Sequence, residues 1–178
     1  MRYFASPLFA AALLAATALS TATVRAELAN DAPVACVMSA GKVLVGLVES
    51  CTALTDNPAT SNADRLNAMI VRARAYYDNG QTDKALAELD AVTAKDPALA
   101  RAFRVRGEIL RVSGRTVEAF EALNQAIRLE PDNAEGYETR ANVFNNAKKY
   151  DRAIQDYDEA LRLKPDFALA YADRGAAW

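Results

Sequence analysis

Three prolines, Pro97, Pro131 and Pro165, stand 34 residues apart. A fixed period of that length confines a chain to architectures in which one small unit is stacked on the next. Numbering each unit so that its proline is position 32 brings the other residues into register. Position 8 is then Ala73, Gly107 and Ala141, with Gly175 next, all small. Position 4 is Met69, Phe103, Tyr137 and Tyr171, and position 11 is Tyr76, Leu110, Phe144 and Trp178. Position 20 is alanine throughout, at Ala85, Ala119 and Ala153, while position 24 is Leu89, Leu123 and Tyr157 and position 27 is Val92, Ala126 and Ala160.

This spacing predicts a helix of about 14 residues, a tight turn, and a second, antiparallel helix that stops at a proline, because proline cannot continue a helix interior. Gly80 and Gly114 mark the turns. Small residues at positions 8 and 20 let the two backbones approach, and the large ones at 4, 11 and 24 fill the space around that contact. Asp132 and Asp166 are expected to cap the helices that follow them. Glycine and proline together number only 13 in 178 residues, so propensity also favours helix.

The large, small, aromatic order in the first helix, followed by the small residues and proline of the second, resembles the tetratricopeptide repeat family. The resemblance covers three complete units, 66–99, 100–133 and 134–167, and an incomplete first helix of a fourth, 168–178. It implies an all-α fold, a right-handed superhelical solenoid of antiparallel helix pairs. Val92 stands where alanine is usual, and Lys148 replaces the turn glycine of the third unit. At position 7, usually leucine, this chain has Arg72, Arg106, Arg140 and Arg174. Either these form a basic ladder for an anion, or their stems pack between units while each head group meets a nearby acid; the second is what repeat packing alone produces.

Upstream, AGKVLVGLVESCTALTDNP lies over SGRTVEAFEALNQAIRLEP without a gap, pairing Gly41 with Gly114, Gly46 with Ala119 and Pro58 with Pro131. Residues 27–60 thus read as a degenerate repeat, whose first helix Pro33 interrupts. The Pro58 to Pro97 distance is 39, so residues 61–65 are expected to form a connecting loop. Cys36 and Cys51 are the two cysteines, and a bridge between them would close a loop of about 16 residues, worth about 3 kcal/mol by chain entropy. Two separate buried thiols are the alternative.

Residues 1–26 read as a secretory signal peptide: Arg2, then an uncharged apolar run from Leu8 to Leu19, then Val24-Arg25-Ala26 before the cut. Cleavage after Ala26 leaves 152 residues with 19 basic and 23 acidic side chains, a net charge of −4. The expected location is the periplasm or the outside of the cell, with no stable membrane insertion after cleavage. Mild acidity argues against a nucleic-acid partner.

The resemblance also nominates a binding face. First helices of the family line a concave groove through positions 2, 5, 9, 12 and 13, which here nominates Asn67, Ile70 and Arg74; Arg101, Arg104, Glu108 and Arg111; then Glu135, Glu138, Asn142, Asn145 and Asn146. A basic stretch runs into an acidic and amide-rich one, suited to an extended peptide of complementary charge. The alternative is a solvated helical face of mixed charge. The family's carboxylate clamp, which holds a C-terminal peptide, asks for lysine and asparagine at positions 5 and 9 of one repeat, asparagine at 6 of the next, and lysine and arginine at 2 and 6 after that. Those positions read Ile70, Arg74, Val105, Glu135 and Thr139, so the clamp is absent.

With no histidine in the chain there is no HExxH site, no serine-histidine pair and no histidine general base. The expectation is therefore a protein that is not an enzyme, needs no cofactor or metal, and binds a protein or peptide. Two other readings concern the C-terminal residues: Tyr171 and Trp178 would be left uncovered, so either the chain is a fragment of a longer repeat protein or a homo-oligomer or envelope complex forms through residues 168–178.

Overall fold

The computed structural model describes Cys36 and residues 46–177, and the expectations for residues 1–26, for the first helix of the degenerate unit and for Trp178 lie outside the described residues. Eight helices follow one another without a strand among the described residues. They are α1 (Leu47–Asp56), α2 (Asn62–Asp78), α3 (Thr82–Lys95), α4 (Ala100–Val112), α5 (Thr116–Leu129), α6 (Ala134–Asn146), α7 (Tyr150–Leu163) and α8 (Ala168–Ala176). Each helix packs on the next, and the successive first helices α2, α4 and α6 also pack on one another. The second helices α3, α5 and α7 lie outside that row, so the stack curves with the first helices on its inner face.

The turn inside each pair is the same object three times. Gly80 N–H donates to Tyr77 O and Gln81 N–H to Tyr76 O; Gly114 and Arg115 repeat this onto Arg111 and Leu110, and Lys148 and Lys149 onto Asn145 and Phe144. This is the Schellman closure, which satisfies two carbonyls the helix end would orphan. It needs a left-handed residue, and φ is +75° at Gly80, +76° at Gly114 and +56° at Lys148. Lys148 therefore takes the glycine conformation despite its Cβ.

Helix contact within each pair is set by the small residues. Ala73, Ala85, Ala119, Ala141 and Ala153 are fully buried, with Leu89, Leu123 and Tyr157 packed among them. At Gly107 the approach is tighter still: a Cβ there would lie 2.5 Å from Leu123 Cγ. Even alanine does not fit without moving that leucine.

Four expectations need correction. Residues 62–65 are the first turn of α2, not a connecting loop, because Ser61 caps it: its hydroxyl accepts from Asp64 N–H and donates to the Asp64 carboxylate. The extra residues lengthen α2 to 17, against 13 for α4 and α6. Asp132 does not cap α6; the neighbouring Asn133 does, accepting from Glu135 N–H. Asp166 does not cap α8, whose N-cap Phe167 offers no side-chain acceptor. Gly46, aligned with the helical Ala119, instead precedes α1 with φ +85°. Cys36 is joined to Cys51 of α1, with Cα atoms 5.1 Å apart, and Cys51 packs with Leu47, Leu54, Ala68 and Ala75 at the end of the stack.

The arginines at position 7 run between units as a polar seam. Arg72 donates to Glu88 in its own pair and to Thr52 and Thr55 of α1. Arg140 forks onto both carboxylate oxygens of Asp156, each at 2.8 Å, and reaches back to Asn124 of α5. Arg106 and Arg174 make the backward contact, to Asp90 and Asp158. Each guanidinium sits 16 residues from its acid in one direction or the other. Among the three complete units, the unit's own acid is missing only where Ala122 replaces it, opposite Arg106. The head groups are thus occupied by acids and amides of the stack itself, as in the packing reading and not as a ladder open to an anion.

Candidate binding groove

Helices α4, α6 and α8 present their inner faces to a concavity of about 520 Å³. Its walls are Arg104, Glu108 and Arg111 from α4, Glu135, Glu138, Thr139 and Asn142 from α6, and Phe167, Leu169 and Asp173 at and in α8. Six of the twelve nominated groove residues therefore meet here: Arg104, Glu108, Arg111, Glu135, Glu138 and Asn142.

Three others form an adjoining surface. Arg101 donates to Asn67 Oδ1, and Arg74 pairs with Glu108 at 2.9 Å and with Asp78 at 3.3 Å. Burial, with Arg104 close by, lowers the pKa of Arg101. Asn145 and Asn146 end α6 and are not among the walls of the concavity.

Ile70 is a correction. It is 1% exposed and packs in the core with Ala102 and Val105 of α4, so it presents nothing to a ligand. Position 5 lies where successive first helices meet. Ile70 fills that seam with hydrocarbon, Arg104 crosses it to pair with Glu135 at 2.9 Å, and Glu138 brings a carboxylate into it. Val105, another of the clamp positions, is likewise buried.

Glu138 is the most perturbed acid of the groove. It is 7% exposed, accepting from Thr139 Oγ1 and Asn142 Nδ2. Burial pushes its carboxyl up to about 7; those two hydrogen bonds oppose the rise, while Asp173 and Glu108 add to it. Asn142 is the hub: its amide also reaches Asp173 Oδ2 at 3.4 Å, and its oxygen accepts from Tyr157 Oη. Burial also raises the Tyr157 hydroxyl, helped by Asp173 and Glu138, so it stays a donor.

Arg111 has the opposite problem. Its Nε is shut away from solvent and donates to nothing.

Thr139, Phe167, Leu169 and Asp173 were not among the nominated residues. Leu169 is position 2 of the fourth unit, so carrying the register one unit further would have found it. Thr139 and Asp173 share position 6, which is outside the five positions used for the nomination but is one the carboxylate clamp uses, so the clamp register pointed to it. Among the described residues no group of acids, cysteines or histidines could hold a metal ion, and no helix is long and apolar enough to cross a membrane.

Three models of the tetratricopeptide repeat match in overlapping stretches, residues 70–134, 122–155 and 141–178. No curated protein sequence matches. Among solved structures, the first such domain of human RPAP3 is similar with a TM-score of 0.61 at 19% identity, covering 63% of this chain and 88% of that one. A crystal structure of MamA protein covers 87% of this chain and 79% of its own, with a TM-score of 0.62 at 20% identity. The first such domain of Spaghetti (RPAP3), bound to the HSP90 peptide SRMEEVD, gives a TM-score of 0.61 at 18% identity, over 65% of this chain and 92% of that one. With the 34-residue period, the repeated helix pairs and these matches in agreement, the chain belongs to the tetratricopeptide repeat family.

Proposed function

We propose that this protein is a non-catalytic scaffold, exported to the periplasm, that holds an extended segment of another protein against α4, α6 and α8. The observation that carries the reading is the concavity of about 520 Å³ on the inner face. Its walls belong to three helices fixed by the packed stack, so little ordering cost falls on the scaffold when a segment binds. Similar domains include two whose structures hold peptides, the HSP90 peptide SRMEEVD and the HSP70 peptide SGPTIEEVD. Export is supported by the signal-like residues 1–26 and by the Cys36–Cys51 bridge, since disulfides persist in oxidising compartments.

Affinity capture from envelope extract tests the scaffold, using the wild type and a variant with Arg101, Arg104 and Arg111 all changed to glutamate. A partner whose capture differs between the wild type and the variant supports the groove. Equal capture by both argues for a solvated face. Export is checked on the purified periplasmic protein by N-terminal sequencing, which should begin at Glu27; a chain beginning at Met1 would contradict it.

A second reading rests on α8, where Leu169 is 55% and Tyr171 49% exposed. Docking of this helix on a second chain would make the protein a structural subunit. Light scattering separates the readings: a strict monomer at high concentration excludes a homo-oligomer through residues 168–178.

A further inference from the structure

The charges of the groove divide into those already matched and those left over. Arg104 is matched by Glu135 and Arg74 by Glu108, both at 2.9 Å. Glu138 and Asp173 enter no ion pair among the described residues, although one amide, Asn142 Nδ2, donates to both, at 2.6 and 3.4 Å. One amide thereby bridges two carboxylates that line the concavity, and no lysine or arginine among the described residues pairs with either. Facing the same concavity, Arg111 has a buried Nε without an acceptor. Phe167 and the exposed Leu169 give the same concavity its apolar side chains.

Resting on the reading of this face as a peptide groove, we propose the class of segment it takes: an extended peptide with a lysine or arginine next to a large apolar residue. The basic head group approaches Glu138 and Asp173 from the open side of the concavity, opposite the Asn142 amide that bridges them, the apolar side chain lies on Leu169 and Phe167, and a backbone carbonyl accepts from the terminal N–H groups of the Arg111 guanidinium. A cation there supplies what desolvated carboxylates lack, and charge-assisted hydrogen bonds in a half-buried site are the strong ones. The raised Glu138 carboxyl agrees: burial raises it, Asp173 and Glu108 add to the rise, and a cation beside it would oppose both. A terminal carboxylate in the same place would meet Arg111 but face Glu138 and Asp173, the two acids that no arginine or lysine pairs with among the described residues, so the groove selects against it.

The test is selection from a displayed library of random decapeptides against the mature protein, followed by fluorescence anisotropy with the best binder. Selected peptides should be enriched in lysine or arginine beside leucine, isoleucine or valine. The Glu138→Gln/Asp173→Asn variant should still select peptides but lose that enrichment, and the binder's Kd should rise about tenfold. Asp173→Asn alone, at a partly exposed position, should shift Kd in the same direction and covers the case in which the double variant folds poorly. Enrichment in acidic residues, or a Kd unmoved by these substitutions, would overturn the charge assignment and leave the peptide groove standing. No selected peptide of any charge would overturn the groove reading and this inference with it.

Discussion

Gly107 lies under Leu123 so closely that its missing Cβ is part of the packing: the added atom would stand 2.5 Å from Cγ and 2.9 Å from Cδ2. In an unpacked helix, glycine to alanine gains about 1 kcal/mol of propensity. Here the branched head of a fully buried leucine must move, and overpacking of that kind costs about 1 to 3 kcal/mol. Gly107→Ala should therefore lower the urea midpoint despite better propensity, and a raised midpoint would show that α4 and α5 can part freely. Glu138 gives a pH signature at the same scale. Its folded carboxyl titrates near 7 against an ordinary 4.5, so between those values the folded state holds a proton the unfolded chain has released. This group's contribution to stability accordingly falls as pH rises through that window. Glu138→Gln removes the penalty, and relative to wild type it should gain about 1 to 2 kcal/mol on going from pH 4 to pH 8, discounted from the full shift because the groove is open. Paired urea titrations at the two pH values measure it, and a pH-independent difference would contradict it.

The elements repeat a single plan with local departures, and the departures are where their energetics can be read. Each pair closes with the same two hydrogen bonds, yet the third turn places Lys148 at φ +56° where the others have glycine. A side chain with a Cβ is disfavoured there. Lys148→Gly should raise stability by about 0.5 to 1 kcal/mol, and a loss would mean the lysine contributes a contact that outweighs its strain. The position 7 seam has its tightest link at Arg140, whose fork onto Asp156 is largely buried and raises the pKa of the arginine through that hydrogen bond. A double-mutant cycle of Arg140→Ala with Asp156→Ala should give a coupling of about 1 to 2 kcal/mol, whereas the exposed Arg162–Glu159 pair should couple far less. Equal couplings would mean that the seam has no more structural weight than the surface.

At the scale of the whole molecule, most of the stack was legible from spacing, because a period of 34 residues fixes where helices start, turn and stop. The start of α2 was not, since a 39-residue interval reads as an inserted loop until Ser61 and Asp64 are recognised as a cap. The groove was only half legible. Register says which side of a helix a residue occupies, but whether position 5 is solvent or seam depends on how closely neighbouring helices lie, so Ile70 and Glu138 looked alike in sequence and differ in role. Leu169 and Asp173 belong to the groove because α8, packed on α7, brings them to the concavity that α6 also lines, which follows from the stack and not from the three complete units. The curvature gathers these side chains into one cavity while the second helices form the outer layer, and the inner surface of first helices is the working surface in this account. Chemical-shift mapping by NMR tests that most directly, titrating the labelled protein with a captured partner segment. The account predicts perturbed amides concentrated in α4, α6 and α8, around Arg111, Asn142 and Leu169; perturbations confined to α3, α5 and α7 would contradict it.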